Sequence, residues 1–340
     1  MFNRRFRFLA VILGAALLTI VDGCAARQDS LRNLPRRAVA RSEITSSGNP
    51  PFRLKARVFE VTNPDNHKYD AEIDEVWAAP REWRRTIQST KFQEVLITNV
   101  NRVSEQISGD YYPLWLHTLV NAIFEPGVRL KGVDLTKSDD NPEPTGPATY
   151  RRFGYHVGIT PVQNTVVDWY CFENGLIESI GVPGYEAEYD SYQNFAKKRV
   201  ARKIQEEIEP GTTLEADIVA LDELGSVDKS AFLIGQPSDP LRTVFADEQT
   251  LRGITLNSPP LQWPTIQDGK PIGTLSIYVC VDRQGNVRET YGLNSDNPYM
   301  TDAARKQLMY WKFKPLSDNG DPVQVESILT FAYQTRVVPN

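Results

Sequence analysis

The stretch "WKFKPLSDNGDPVQVESILTFAY", residues 311–333, decides how the end of this chain folds. It opens on Trp311 and Phe313, continues into the turn-forming pair Asn319-Gly320, and ends in an alternating run from Val323 to Tyr333. Alternation of apolar and polar side chains is typical of a strand with one buried face. The stretch therefore predicts a closing strand that packs behind an aromatic plug.

Outward from this strand, residues 251–336 predict a small β-β-α-β unit. In the turn "DRQGNV", Gly285 is suited to a positive φ, which a hairpin needs. The run "TDAARKQLMYWKF" predicts a helix with Thr301 and Asp302 near its N-terminus. The first strand, which opens at Gly273, has four apolar residues on one face: Leu275, Ile277, Val279 and Val281. The helix residues predicted to cover that face are Ala303, Leu308 and Trp311, which leaves Thr274, Ser276 and Tyr278 in solvent.

This unit resembles the TonB C-terminal domain over residues 251–336. Residues 260–264, "PLQWP", stand where that family has a proline-aromatic-proline entry. The family's exit motif is matched by Trp311, Phe313 and Pro315. The resemblance implies that an outer-membrane or periplasmic protein adds a strand at the last strand. The residues that would flank the added strand are Val325, Ser327, Leu329 and Phe331, or the set of opposite parity.

Two alternatives stay open for this unit. The edge of the last strand is protected by residues 251–258 or by the other domain, in which case no partner adds there. The chain could also be a TonB-type energy transducer for outer-membrane transport. That family's long proline-lysine spacer and uncleaved membrane helix have no counterpart in this sequence. Docking without energy transduction is therefore our main interpretation.

The first residues predict export. Three arginines precede an apolar run of 14 residues, Phe8 to Val21, which is short for a membrane span and typical of a signal peptide over residues 1–23. The sequence Val21-Asp22-Gly23-Cys24 resembles the lipobox of bacterial lipoproteins, although Asp22 departs from it. The resemblance implies a lipid on Cys24 and an outer-membrane anchor facing the periplasm. The alternatives are a soluble periplasmic protein cleaved after Ala25 or Ala26, and an uncleaved anchor.

Composition sets further limits. The 340 residues are 41% hydrophobic and 24% charged, as expected of a globular protein, and the net charge of −5 argues against nucleic acid as a partner. Residues 24–52 are basic and contain "SSGNPP", which predicts a flexible tether that follows the lipid anchor.

Residues 53–240 predict a second domain made of short strands. Runs such as "RLKARVFEVT" and "FQEVLITNVNRVSEQI" alternate and end at Pro, Asn or Gly. The exception is "YPLWLHTLVNAIF", where apolar residues recur at helical spacing, so we predict one helix over residues 112–124. Residues 199–224 are ambiguous, because Val200, Ile204 and Ile208 have helical spacing, but Pro210-Gly211 and the alternation after it favour a hairpin. Residues 222–250 predict an irregular polar connection.

Within this region "YDAEIDEVWAAPREWRRTI" resembles the LolA-like periplasmic lipoprotein carriers, through Trp77, Pro80, Trp83 and Arg84. The resemblance implies a curved antiparallel half-barrel sheet over about residues 52–240, with the helix as a lid over an apolar ligand. The residues that would line the ligand are Trp77, Trp83 and Trp115. The alternative is that these tryptophans simply fill a core.

No motif predicts catalysis or a cofactor. His67, His117 and His156 stand apart from any familiar catalytic spacing, and no phosphate loop or metal-type cysteine pattern occurs. Asp139 and Asp140 could hold calcium, but a solvated loop explains them as well. Cys171 and Cys280 lie in apolar runs and are interpreted as buried thiols, with a disulfide as the alternative.

Together these features predict a mainly β chain with an α+β C-terminal domain: a half-barrel sheet and a small TonB-like unit. The function expected is that of a non-enzymatic cell-envelope lipoprotein that docks a protein and binds an apolar ligand. The alternatives are a periplasmic carrier or chaperone of a lipid or other hydrophobic ligand, and an unrecognised hydrolase.

Overall fold

The computed structural model describes residues 34–126, 144–145, 152–158, 166–171, 175–182, 185–209, 211–235, 241–295 and 297–338. The predicted signal peptide, Cys24 and the Asp139-Asp140 loop lie outside the described residues. Cys171 lies on a described strand, but its side chain is not described.

A twelve-stranded antiparallel sheet, the large sheet, dominates the fold. Its strand order is β5-β4-β3-β2-β1-β14-β13-β10-β9-β8-β7-β6, so that two meanders meet where β1 pairs with β14. The fold class predicted from sequence, mainly β with a large curved antiparallel sheet, is confirmed. The strand bounds are β1 Phe52–Glu60, β2 Ala71–Ala79, β3 Glu82–Ser89, β4 Gln93–Asn99, β5 Arg102–Ser108, β6 Pro144–Thr145, β7 Arg152–Gly158, β8 Val166–Cys171, β9 Ile177–Val182, β10 Tyr185–Asp190, β13 Lys203–Glu209 and β14 Thr212–Glu223. A separate hairpin joins β11 Gln193–Phe195 to β12 Lys198–Val200.

Alternation in the sequence sets the buried face of this sheet. In β1 every second residue from Phe52 to Glu60 is buried, and in β2 the same holds from Ala71 to Trp77. The period of two places these side chains on one face, where they share a core with β13 and β14. The hairpin favoured within residues 199–224 is confirmed by the pairing of β13 with β14.

Two helices pack on that face. α1, Leu34–Ser42, lies within the segment predicted as a flexible tether, and its Ala38 is fully buried in the core. The prediction of a flexible tether is thus wrong for this part, because the helix places small apolar residues between its arginines. α2, Leu114–Phe124, confirms the predicted helix but begins two residues later, directly after Pro113.

The predicted β-β-α-β order is confirmed at the C-terminal end. Residues 241–338, here the C-terminal module, form a four-stranded sheet in the order β15-β22-β17-β18, with α4 on one face. The main elements are β15 Thr243–Phe245, α3 Glu248–Gly253, β16 Thr255–Asn257, β17 Ile272–Val281, β18 Val287–Ser295, α4 Pro298–Leu308, β19 Lys312–Phe313, β20 Ser317–Asp318, β21 Asp321–Pro322 and β22 Gln324–Gln334. The α4 cap differs from prediction: Asn297 accepts the Tyr299 N–H, so Thr301 and Asp302 lie inside the helix.

The last strand is not an edge strand over residues 324–326. β15 pairs in parallel with β22 at Gln324–Glu326, and α3 follows along the same side. Further on, Thr330 N–H donates to Glu248 and Thr330 C=O accepts from Arg252. The prediction of an open edge is therefore wrong over residues 324–326, where β15 pairs with β22. At Thr330 no described strand is paired on this side, and the backbone is instead hydrogen-bonded by the side chains of Glu248 and Arg252.

Candidate functional site

Aromatic side chains form one half of the helix-covered face of the large sheet. Trp77 is buried and stacks on Phe52, with ring centroids 5.2 Å apart, and Phe52 meets Phe195 edge-on at 5.9 Å. Above them, α2 contributes Trp115, which contacts the Tyr69 ring edge-on at 5.5 Å. Nine of the eleven α2 residues are buried, so the helix is apolar nearly all round and is covered on both sides.

Charged side chains form the other half of the same face. On β2 and β3, Arg85 forms an ion pair with the buried Glu75 at 2.7 Å, and its guanidinium lies 4.0 Å from the ring centroid of Phe124 in α2. Burial raises the pKa of Glu75, and Arg85 opposes that rise. On β4, burial raises the pKa of Glu94 to about 8, with Arg85 opposing and the hydrogen bond to Glu105 adding to the rise.

A further acid lies under the middle of α2. Glu206 of β13 is fully buried and accepts a 2.7 Å hydrogen bond from the Thr118 hydroxyl. Buried carboxyl groups are costly unless they are hydrogen-bonded or paired. The face beneath α2 is therefore amphipathic, with an aromatic half and a charged half.

The C-terminal module closes over the start of α2. The Gln324 side chain bonds both the N–H and the C=O of Tyr112, at 2.8 and 3.0 Å. Glu289 of β18 accepts from Leu114 N–H at 2.7 Å and from the Tyr111 hydroxyl at 3.3 Å. A carboxylate beside the first turn of a helix is favourable. The module thus caps α2 through side chains that come from another sheet.

Burial governs the acidity of this junction. Burial raises the pKa of Glu289 to about 7, although the Leu114 N–H and the Tyr111 hydroxyl favour its charged form. Close by, His117 of α2 meets Glu326 at 3.2 Å, and Tyr278 also donates to Glu326. Predicted to face solvent, Tyr278 is instead buried between Leu114 and Ile328, because α2 covers this face of the small sheet.

Between the large sheet and the module lies a cleft of about 310 Å³. One wall comes from the turns that carry Lys68 and Lys91, and the other from β18 and α4 with Arg305. Trp115 and Tyr69 belong both to the cleft lining and to the core beneath α2. The cleft therefore opens onto the same core that α2 covers.

The three predicted ligand-lining tryptophans lie on the large sheet and on α2. Trp77 lies on the sheet, Trp115 on the helix, and Trp83 is partly buried at the rim of the same core. Trp77 and Trp115 contact aromatic side chains of the protein, as the core-filling alternative expects.

The predicted docking residues face inward. The side chains of Val325, Ser327 and Leu329 are buried, and Phe331 packs on Trp311 with centroids 5.8 Å apart. They point towards α4 because odd-numbered residues of β22 share the face that this helix covers. A strand is added in the plane of the sheet through backbone groups, so the burial of these side chains does not by itself decide the docking prediction.

The structure describes all four predicted motif residues of the module. Phe313 is fully buried and Trp311 nearly so, whereas Pro315 is exposed. Gly285 has φ +84°, and a Cβ there would lie 1.9 Å from the Phe313 carbonyl oxygen. Gly285 thus allows the β17–β18 turn to approach β19 closely.

The described residues contain no group of three His, Cys, Asp or Glu side chains that could hold a metal ion. Cys280 is a buried free thiol whose pKa is raised by burial. Among the helices that the structure describes, none combines the length and apolar character needed to cross a membrane.

Sequence reasoning missed the residues that join the two regions, Gln324, Glu289 and Glu326, and the basic residues of the cleft. The sequence carries only a weak signal for them: Gln324 and Glu326 are polar residues at alternating positions of β22. No spacing in the sequence indicates that the segment before α2, residues 111–113, lies between the two sheets.

No protein-family model and no curated protein matches the chain. Among solved structures, it is similar to a LolA superfamily protein from Nitrosomonas europaea, at 8% identity and a TM-score of 0.38, covering 58% of this chain and 97% of that one. It is also similar to a DUF1329 family protein from Desulfovibrio piger, at 8% identity and a TM-score of 0.39, covering 60% and 96%. The LolA superfamily is thus among the similar structures, whereas the comparisons give no support for a TonB-like domain. At these values neither similarity assigns the chain to a family.

Proposed function

We propose that this chain binds and carries an amphipathic, lipid-type ligand whose apolar chain takes the place of α2 on the large sheet. The observation that carries the proposal is the amphipathic face beneath α2. Its aromatic half suits a hydrocarbon chain, and its charged half suits the polar end of the same molecule.

The buried charges support this proposal on energetic grounds. Replacing a buried ion pair by apolar side chains is often neutral or stabilises a protein by about 1–4 kcal/mol. A face that only had to hold α2 would therefore gain nothing from the Glu75–Arg85 pair. A face that alternately receives a helix and a polar-ended ligand has a use for the buried charges as well as for the apolar side chains.

Exchange of α2 for a ligand is energetically balanced. The helix buries Leu116, Leu119 and Ile123 in the core. Each CH₂ group of an acyl chain recovers about 0.8 kcal/mol when it is buried. A chain of ordinary length can thus replace the apolar contacts of these side chains, and α2 acts as a lid.

Quenching by a lysophospholipid with a brominated chain tests this directly, because bromine quenches tryptophan only on contact. We expect saturable quenching below the critical micelle concentration. Trp77→Phe should lower the quenched fraction, since Trp77 lies on the sheet face. Trp311→Phe is the matched control, because Trp311 is equally enclosed in the other core. Absence of quenching, or equal quenching in both variants, would refute the proposal.

We also propose that a lipid on Cys24 holds the chain at the periplasmic side of the outer membrane. The support is the lipobox-like sequence before Cys24. Metabolic labelling with palmitate should mark the wild type and leave Cys24→Ser unmarked. Equal labelling of the wild type and the variant would refute lipid anchoring at Cys24 and would favour a soluble periplasmic protein.

A second candidate function is strand addition beside β22, at the stretch after β15 ends. The observation in its favour is that side chains, not a strand, bond the Thr330 backbone. Thr330 is exposed, so Thr330→Pro removes the outward N–H and leaves the core intact. If an envelope protein docks there, this variant should lose it in a pull-down, and Thr335→Pro, beyond the strand, should retain it. Equal capture by both variants would end this candidate.

A further inference from the structure

The buried carboxylate of Glu75 has one oxygen to which no described residue donates a hydrogen bond. Glu75 lies opposite Arg85 in the pairing of β2 with β3 and is 1% exposed. Arg85 Nε and Nη2 both reach the same oxygen, Oε2, at 2.7 Å each. In the usual bidentate pair each nitrogen binds its own oxygen, whereas here Oε1 stays open. A buried acceptor without a donor is costly, so Oε1 indicates a donor that comes from outside the chain.

Glu75 lies where the aromatic half and the charged half of the face beneath α2 meet. It shares this face of β2 with Trp77, two residues away, which is about 7 Å along a strand. The Arg85 guanidinium lies 5.2 Å from the Trp83 ring centroid and 4.0 Å from that of Phe124 in α2. Trp83 and Glu75 belong to the sheet, so they would keep Arg85 in place without α2. A ligand chain beside Trp77 would therefore bring its polar end to Glu75 Oε1.

The chemistry of this pair selects among polar ends. A carboxylate or phosphate only accepts hydrogen bonds, so it cannot serve Oε1, and it would meet further acids, because Glu94 and the Glu105 bonded to it lie near Arg85. An ammonium brings three N–H donors to a single open oxygen, and Arg85 already supplies the cation that Glu75 needs. A hydroxyl brings one donor and can also accept. It therefore suits Oε1 whether Glu75 is charged or protonated.

We infer that Glu75 Oε1 accepts a hydrogen bond from an uncharged hydroxyl headgroup, such as the glycerol end of a monoacylglycerol, on the amphiphile that replaces α2. The inference deepens the proposed function and rests on it for the position of the chain. In this arrangement Trp77 contacts the hydrocarbon, and Glu75 determines which amphiphile is bound. Free glycerol carries the same hydroxyl chemistry, so the test must separate it from a lipid.

Displacement of the brominated lysolipid from the full chain tests this assignment. The competitors have the same chain length: monolauroylglycerol, its di-O-methyl ether, laurate and dodecylamine. The ether keeps the acceptor oxygens of the glycerol and loses both donors. We expect monolauroylglycerol to bind about tenfold more tightly than the ether, and more tightly than laurate or dodecylamine. Glycerol is the chainless arm and should not compete, because Glu75 lies beneath α2.

A matched pair of double variants locates the preference. Glu75→Met/Arg85→Met removes the acceptor together with its cation, so no buried charge is left unpaired. It should bind the ether within about twofold of the wild type, which shows that the fold is intact, and should lose the preference for monolauroylglycerol. Arg53→Met/Asp74→Met removes an ion pair from the opposite face of the same sheet and should keep the preference.

The outcomes separate the hydroxyl site from the chain-binding function. If the lysolipid quenches tryptophan but monolauroylglycerol and its ether compete equally in the wild type, the hydroxyl site is overturned and the chain-binding function stands. The same conclusion follows if both double variants keep the preference, or if laurate or dodecylamine competes best. Competition by glycerol alone would overturn the assignment to a lipid headgroup. If no lysolipid quenches, the proposed function fails and the hydroxyl site fails with it.

Discussion

Two sheets in this chain are each covered by a helix, and they treat charge in opposite ways. Beneath α4 the small sheet buries apolar side chains such as Leu308 and Leu329, joined by the hydroxyl of Ser327. Beneath α2 the large sheet buries Glu75 and Glu206 and partly buries Arg85, which pairs with Glu75. The same helix-on-sheet plan therefore yields one dry core and one charged core.

Under the proposed function, the C-terminal core only stabilises the fold, whereas the core beneath α2 also receives a ligand. The dry core gains everything from burying apolar area, at about 25 cal/mol per Å². The charged core loses part of that gain to desolvation of its ionic groups. The proposed function rests on this difference: the energetic loss is present in the core beneath α2 and absent from the core beneath α4.

The largest effect on stability is expected when one partner of the Glu75–Arg85 pair is removed. Arg85→Met should lower the free energy of unfolding by about 3–5 kcal/mol, because it leaves Glu75 buried without its cation. Chemical denaturation measures the change. Arg53→Met, in the exposed Arg53–Asp74 pair, is the control and should cost less than about 1 kcal/mol.

A double variant shows whether the pair is retained for stability. Glu75→Met/Arg85→Met should recover most of the loss and should weaken binding of the brominated lysolipid. If the double variant is as unstable as the single one, the pair stabilises the fold and the argument from buried charge fails.

The next largest effect probes the dry core at its tightest turn. Gly285→Ala should cost about 3–4 kcal/mol, because the new Cβ would collide with the Phe313 carbonyl and the residue has a positive φ. Gly320→Ala has a similar φ, +97°, but open space around it, so it should cost about 1 kcal/mol. Equal losses would mean that backbone strain alone, and not the approach of β19, makes Gly285 necessary.

The seam between the regions should be sensitive to pH. The pKa of Glu289 rises from its ordinary 4.5 to about 7, because the group is buried. Between those values the folded chain keeps a proton that the unfolded chain has released, so raising the pH destabilises the fold. We expect this group alone to lower the free energy of unfolding by about 3 kcal/mol from pH 4.5 to pH 7.

Glu289→Gln isolates this contribution. The variant should lose that part of the pH dependence, while the exposed Glu223→Gln should keep it. In both variants, loss of the proton from Glu94 should continue to lower the free energy of unfolding as the pH rises to about 8. A wild-type curve that rises between pH 5 and 7 would show that Glu289 is charged throughout.

Sequence reasoning succeeded where a local pattern decides the structure. The alternation in β17 and β22, the turn at Gly285 and the apolar spacing of α2 each specify an element without help from distant residues. These signals depend on side-chain period and backbone freedom, which neighbouring residues determine.

Sequence reasoning failed where contacts between distant segments decide the structure. The strand β15 has only three residues, and its parallel pairing with β22 gives no periodic signal. The cleft brings Lys68 and Arg305 together from turns and helices more than 200 positions apart, so no spacing predicts it. Glu75 and Glu206 look solvent-facing in sequence, because a charge is buried only when a partner from another element is present.

The smallest effect has the opposite sign and concerns a residue that sequence reasoning placed at the docking edge. Ser327 is fully buried under α4, and its hydroxyl has no hydrogen-bond partner among the described residues. Ser327→Ala should therefore raise the free energy of unfolding by about 1 kcal/mol, since an unsatisfied buried hydroxyl costs that much. Ser276→Ala, on the opposite face of the same sheet, should change it by less than about 0.5 kcal/mol. A loss of stability in Ser327→Ala would place a polar partner beside β22, and the C-terminal core would then no longer be the dry member of the pair.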